Sequence, residues 1–320
     1  MLPNEGPKER LRDHVPRYAV GLVAGFASGL TKVAVGHGFD TVKTRVQLHP
    51  VLKNHSAVHV LMTTIKREGF LALYKGAMAP SVGWAAIDSV LLGSLHTYRL
   101  FLLHNGMTED PTSTGPRLTL LAHGTAGLFA GLTSAPLATP IELLKVRLQL
   151  QMQKSVSDRQ FKGPIDCAQH IVRSQGVFSL WTGFSGGLFF RANFFYMFLA
   201  FEACMRGLST LKGTPYEPNV GIANLIAGGA ASLCFWTMAI PFDRTKNQMM
   251  SHPYPQPYPD CSITRPSLVS VARQIYKAEG PSGFYRGLGP CYLRAFPSNA
   301  CAFFVYEGLL RALGAEQTRR

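Results

Sequence analysis

Long apolar stretches and shorter amphipathic ones follow one another in a fixed order, three times along these 320 residues. Residues 118–141 and 219–242 each run without Asp, Glu, Lys or Arg. As helices, both would cross a hydrocarbon core of about 30 Å. Four further stretches are each interrupted by one ionisable residue: Lys32, Asp88, Arg191 or Arg294. Helices with lipid on one side and water on the other would show this mixture, whereas a single membrane anchor would not. The pattern predicts a first long helix in each unit, over 18–47, 117–151 and 218–250. A short amphipathic helix follows at 58–67, 165–174 and 268–278, and a second long helix starts after Gly76, Gly183 and Gly287. The predicted units are 18–105, 117–212 and 218–312, flanked by tails at 1–17 and 313–320.

Two motifs mark each unit. The first helices carry Gly38-Phe39-Asp40-Thr41-Val42-Lys43, Pro140-Ile141-Glu142-Leu143-Leu144-Lys145 and Pro241-Phe242-Asp243-Arg244-Thr245-Lys246. An acid and a lysine three residues apart share a helix face, and such charges are costly near lipid. Pro140 and Pro241 should bend their helices just before the acid, with Gly38 as the softer first copy. The second motif reads Glu68-Gly69 … Tyr74-Lys75-Gly76, Gln175-Gly176 … Trp181-Thr182-Gly183 and Glu279-Gly280 … Tyr285-Arg286-Gly287. Its glycines permit turns that a side chain would forbid, and an aromatic beside a cation suits a membrane boundary. Small residues at Gly21, Gly25 and Gly29, at Gly127 and Gly131, and at Gly228 and Ser232 predict close helix approach in every copy.

Composition adds less. With 47% hydrophobic residues and a mean hydropathy of +0.09, the chain as a whole does not announce a membrane protein. A net charge of +14 without any nucleic-acid-binding signature points to an anionic membrane surface or an anion pathway. The six cysteines form no CxxC pair, and Cys204, Cys234, Cys291 and Cys301, in apolar segments, read as packing residues. The N-terminus lacks both the apolar core of a secretory signal and the acid-poor character of a transit peptide. No phosphate-binding loop, HExxH or serine elbow is found, so neither an enzyme nor a cofactor is expected. His55 and His59 pair at i,i+4 without a third metal ligand. The proline-rich run at 252–259 reads as a loop.

These two motifs, interleaved three times over the whole chain, resemble the mitochondrial carrier family. The resemblance implies an all-α membrane protein: six transmembrane helices in a threefold pseudosymmetric barrel, with three short amphipathic matrix helices. It implies a monomeric exchanger of a small-molecule metabolite in the mitochondrial inner membrane, with the peroxisomal membrane as the alternative address. Membrane lipids, cardiolipin among them, are the expected partners, and nucleic acid is not. A matrix gate would pair Asp40 with Lys145, Glu142 with Lys246 and Asp243 with Lys43, braced by Gln47 and Gln149; Met250 stands at the third brace position. The cytosolic gate departs from the family pattern. Of that pattern's charged positions it retains only Arg99, Glu202 and Glu307, with Arg206 and Arg311 one position late.

By the same resemblance, solute contacts lie on the second long helices, seven to eleven residues after the closing glycine. Those windows hold Gly83, Trp84 and Asp88, then Phe190 and Arg191, then Arg294 and Ala295. Trp84 fits either packing or contact. Arg191 is one residue out of register with Arg294, and each residue rotates a helical side chain by about 100°; its facing is therefore open. Two arginine forks for a carboxylate, with Asp88 for an ammonium, suit an amino acid or carnitine-like zwitterion. The alternatives are a di- or tricarboxylate, with Lys32 and His37 adding positive charge, then a nucleotide, or a receptor or scaffold without transport.

Overall fold

The computed structural model describes residues 17–48, 55–74, 78–112, 115–151, 160–211, 213–251 and 267–312. The side chains of Lys32, Tyr306, Glu307 and Arg311, the pair Lys75–Gly76, the run 252–259 and both predicted tails apart from Arg17 lie outside the described residues.

Among the described residues ten helices follow in order: α1 (Arg17–Leu48), α2 (Ala57–Glu68), α3 (Met78–His104), α4 (Leu120–Leu150), α5 (Pro164–Gln175), α6 (Phe184–Ala192), α7 (Phe194–Ser209), α8 (Val220–Met250), α9 (Leu268–Glu279) and α10 (Leu288–Ala312). A 3-10 turn follows each amphipathic helix, at Phe70–Tyr74, Val177–Trp181 and Pro281–Tyr285. Among the described residues, Leu120–Leu150, Val177–Ser209 and Val220–Met250 are long and apolar enough to cross a membrane. Helix α1 packs along α10, α3 along α4 and α7 along α8, so each repeat is joined to the next. Helix α4 also packs on α6 and α7, and α8 on α6 and α10.

Local chemistry sets the element ends. Ser56, Thr119, Asn219 and Ser267 each accept a hydrogen bond from the backbone three residues on, capping α2, α4, α8 and α9. The amphipathic helices stop at Gly69, Gly176 and Gly280, with φ of 91°, 80° and 68°. The accompanying ψ values lie near 180°, a backbone region essentially reserved for glycine. Pro136 and Pro140 lie within α4, Pro241 within α8 and Pro297 within α10. Pro140 has no N–H for the carbonyl four residues earlier, and Trp181 Nε1 donates to that Pro136 oxygen at 2.9 Å. In the first repeat Tyr74 Oη donates to the matching Ala34 oxygen at 2.8 Å. In these two repeats the motif aromatic thus donates a hydrogen bond to a carbonyl of the first long helix, four residues before Gly38 or Pro140.

Three expectations need correction. The fold is mostly rather than wholly helical, because Thr108–Thr112 and Gly115–Leu118 pair as an antiparallel hairpin between repeats one and two. The second long helix of repeat two divides at Asn193, whose side-chain amide donates to the Phe189 carbonyl at 2.7 Å, a local bond that competes with helix continuity. The surroundings of Gly21 and Gly25 lie outside the described residues; among the described glycines of these sets, close helix approach is found at the second set. A Cβ on Gly131 would lie 2.3 Å from the Arg191 carbonyl, and one on Gly127 would lie 2.5 Å from Phe198. At Gly29 and Gly228 a Cβ would meet nothing within 4 Å. Gly131→Ala should therefore lower the melting temperature in detergent, by an amount matching roughly 1–3 kcal/mol of overpacking. Gly228→Ala, facing open space, should leave the melting temperature unchanged or raise it.

Candidate functional site

The six motif charges converge at one end of the helices. Lys145 Nζ lies 2.6 Å from Asp40 Oδ2, Lys246 Nζ 2.8 Å from Glu142 Oε2, and Lys43 Nζ 2.6 Å from Asp243 Oδ2. Each pair joins two different repeats, and the three together form a closed circuit. Asp40, Lys43, Asp243 and Lys246 are buried, so these charges are satisfied by one another rather than by water. Such pairs roughly balance attraction against lost hydration, but removing one partner is strongly unfavourable.

Above the circuit lies a cavity of about 280 Å³, lined by all six of these side chains. Trp84, Asp88, Arg191 and Arg294 line it too, as do Phe190, Phe235 and Trp236. Gly83 and Ala295 do not. Gly83 is a packing contact, because a Cβ there would meet Ile141 at 2.7 Å, and Ala295 is buried. Among the described residues the lining carries five cations and four carboxylates, one positive charge in excess. His37 is absent from the lining: it is buried, stacks on Tyr74 and lies 3.4 Å from Gln149 Nε2. It adds no charge to the cavity wall.

Both arginines are already engaged with circuit acids. Arg294 Nη1 lies 2.8 Å from Asp40 Oδ1, leaving Oδ2 to Lys145. Arg191 Nη2 lies 2.9 Å from Glu142 Oε1, and its Nη1 donates to Ser134 at 2.8 Å. The one-residue offset has a direct consequence. Arg294 reaches across to the acid of the next repeat, whereas Arg191, turned by about 100°, reaches the acid of its own. Asp243 has amides instead of an arginine: Gln47 Nε2 at 3.3 Å and Asn247 Nδ2 at 3.0 Å.

Of the two expected braces, Gln47 touches a circuit acid and Gln149 does not. Gln149 Oε1 accepts from Thr44 at 2.9 Å, and its Nε2 donates to Thr41 at 3.2 Å. It ties α4 to α1 beside the Asp40–Lys145 pair, because its side chain points along the helix interface. Asn247, next to Lys246 and four residues after Asp243, was missed; amide spacing at i,i+4 on the acid's face was the available signal. Ser134 and Trp236 gave no signal, since their partners come from other helices. Glu68 and Glu279 read from sequence as turn markers, yet they neutralise buried arginines on the long helices. Arg45 Nη2 lies 3.0 Å from Glu68 Oε2, and Arg244 Nη2 lies 3.2 Å from Glu279 Oε1.

At the opposite end, Glu202 is held by Arg117 at 2.8 Å and Arg206 at 2.9 Å. Arg206 also reaches Glu109 at 2.6 Å and the Leu118 carbonyl at 2.6 Å. The hairpin is thereby strapped to α7. Arg99 lies over Phe198, 5.5 Å from its centroid, and makes no ion pair with Glu202 among the described residues. Hydrogen bonds from Arg206 hold the Glu109 carboxyl below the usual glutamate range. The strap's ion pair is therefore present above that range and is lost as pH falls through the lowered value.

Comparison with known proteins agrees with the threefold organisation. The sequence profile of the family described as Mitochondrial carrier protein matches residues 15–106, 116–212 and 218–317. A Dictyostelium discoideum protein, mitochondrial substrate carrier family protein L, is 31% identical over 312 residues, covering 97% of this chain and 99% of its own. A mitochondrial arginine transporter of Arabidopsis thaliana is 31% identical, covering 92% of this chain and 94% of its own. A mitochondrial carnitine/acylcarnitine carrier-like protein of the same plant is 33% identical, covering 92% and 98%. With three profile matches spanning nearly all of its length, the chain belongs to the mitochondrial carrier family of transporters.

Proposed function

We propose that the six long helical segments form a threefold pseudosymmetric barrel in the mitochondrial inner membrane. In this reading the Asp40–Lys145, Glu142–Lys246 and Lys43–Asp243 circuit is the matrix gate, and the cavity above it opens to the cytosol. Solute binding opens the gate by alternating access, since a circuit near energetic break-even can be tipped by a few kcal/mol of solute contact. The protein acts as a monomer, in contact with anionic membrane lipid such as cardiolipin.

The solute is an amino acid or carnitine-like zwitterion moved by exchange. What carries this choice is the cavity wall, where Arg191 and Arg294 place guanidinium groups that a solute carboxylate would share with the circuit acids, and Asp88 places a carboxylate. Forks match a carboxylate bidentately, and the acid matches an ammonium. The excess positive charge of the lining favours one alternative, a di- or tricarboxylate. The related plant proteins are named for arginine and for carnitine or acylcarnitine, which supports the zwitterion class.

Counter-exchange in proteoliposomes separates these readings. Liposomes loaded with L-arginine, L-carnitine, glycine, malate or citrate are tested for uptake of the same labelled compound. Exchange of a zwitterion, absent for malate and citrate, is the expected result. Exchange of malate or citrate alone would replace the zwitterion with the carboxylate class. A folded protein that exchanges none of the panel would indicate a membrane receptor or scaffold.

A further inference from the structure

Each circuit lysine lies over an aromatic face, but the third face comes from an unexpected place. Lys145 Nζ is 4.9 Å from the Trp84 ring and Lys246 Nζ is 4.1 Å from the Phe190 ring. Both aromatics stand on second long helices, seven or eight residues after the closing glycine. In repeat three those positions hold Arg294 and Ala295, which offer no ring. Lys43 Nζ nonetheless lies 4.3 Å from an indole, that of Trp236 on α8, seven residues before Asp243. The matching positions of the other first helices are Val33 and Ala135. Trp236 is buried and packs edge-on to Phe235 at 5.3 Å and tilted against Phe190 at 5.9 Å. The guanidinium carbon of Arg294 lies 5.7 Å from the same indole.

We infer that Trp236 is a positioning residue with two cations to hold: it steadies Lys43 against Asp243 and aims Arg294 into the cavity. Cations are attracted to the negative face of an aromatic ring, most strongly to tryptophan. The indole thus faces two cations at once, each of which keeps its own carboxylate, Asp243 for Lys43 and Asp40 for Arg294. It joins a gate pair, Lys43–Asp243, to the cavity arginine bound to Asp40. The Arg294 half rests on the carrier reading proposed above; the Lys43 half rests on geometry alone.

Cys291 supplies a native reporter. It is buried in the same apolar cluster as Trp236, so release of the Lys43–Asp243 pair would expose it. In a variant retaining Cys291 as its sole cysteine, N-ethylmaleimide labelling is compared for the parent, Trp236→Phe and Trp236→Leu. Leucine keeps apolar bulk without an aromatic face. Losing the cation contact should speed labelling by about fivefold to thirtyfold in Trp236→Leu, with Trp236→Phe close to the parent. The same comparison in a Lys43→Met background distinguishes ring chemistry from packing. Trp236→Leu should add little there, because the cation is already gone.

Equal labelling of Trp236→Leu and parent, or full additivity with Lys43→Met, would overturn the Lys43 role. For Arg294, exchange of L-arginine and L-carnitine by Trp236→Leu should show a raised KM that Trp236→Phe restores. An unchanged KM would overturn that half. If no variant, parent included, exchanges any solute, the carrier reading fails while the labelling comparison still decides the role of Trp236 at Lys43.

Discussion

Glu142→Gln should loosen the charged circuit and cause a large loss of stability. Glu142 holds Lys246 on one oxygen and Arg191 on the other. Removing its charge leaves Arg191 without a carboxylate and Lys246 with only its 3.3 Å contact to Asp243, and a broken buried pair costs about 3–5 kcal/mol. Asp40 and Asp243 likewise hold two cations each, Lys145 with Arg294 and Lys43 with Lys246. Thermal unfolding in detergent should show the drop directly. The double variant Glu142→Gln/Arg191→Gln should recover part of it, because one stranded charge is gone. A double variant no more stable than the single would mean that Arg191 is not sustained by Glu142, and the charge-balance account of the circuit would fail with it.

Arg294→Ala should abolish solute recognition while leaving the gate largely closed. Asp40 keeps Lys145 when Arg294 is removed, so the circuit survives. The solute carboxylate, in contrast, loses a charged fork worth about 2–4 kcal/mol, roughly 30- to 1,000-fold in affinity. Arg294→Lys retains the charge but not the planar fork and should fall between the two. A thermal-shift screen with L-arginine and L-carnitine checks this by linkage, since a ligand that binds only the folded form raises its melting temperature. The shift should vanish in Arg294→Ala. Its persistence at full size would remove Arg294 from the binding site.

Much of the fold was legible because membrane helices obey strong local rules. Length and apolar content located the long helices, and the glycines at 69, 176 and 280 located the turns that end the amphipathic ones. Spacing of acid and lysine by three residues located the charged circuit, since that spacing fixes a shared helix face. The hairpin formed by Thr108–Thr112 and Gly115–Leu118 was not legible, because two short polar strands lack hydrophobic alternation and carry Pro111 and Pro116, residues that argue against a strand. Nor was the division at Asn193, where a single side-chain hydrogen bond competes with the helix. The small residues misled for another reason. Their spacing permits close approach, but only a neighbouring backbone such as that of Arg191 makes use of it.

The site divides in the same way. Sequence alone determined which charges repeat, how far apart they stand and which helix face carries each of them. It therefore determined that three acids and three lysines could meet. Which acid each arginine would hold was decided by tertiary structure, because a one-residue offset turns Arg191 towards its own repeat and leaves Arg294 reaching for the next. The place of Trp236 between Lys43 and Arg294 was decided there too: three helices from two repeats supply those groups, and no local pattern in a chain records a contact made only when distant segments pack.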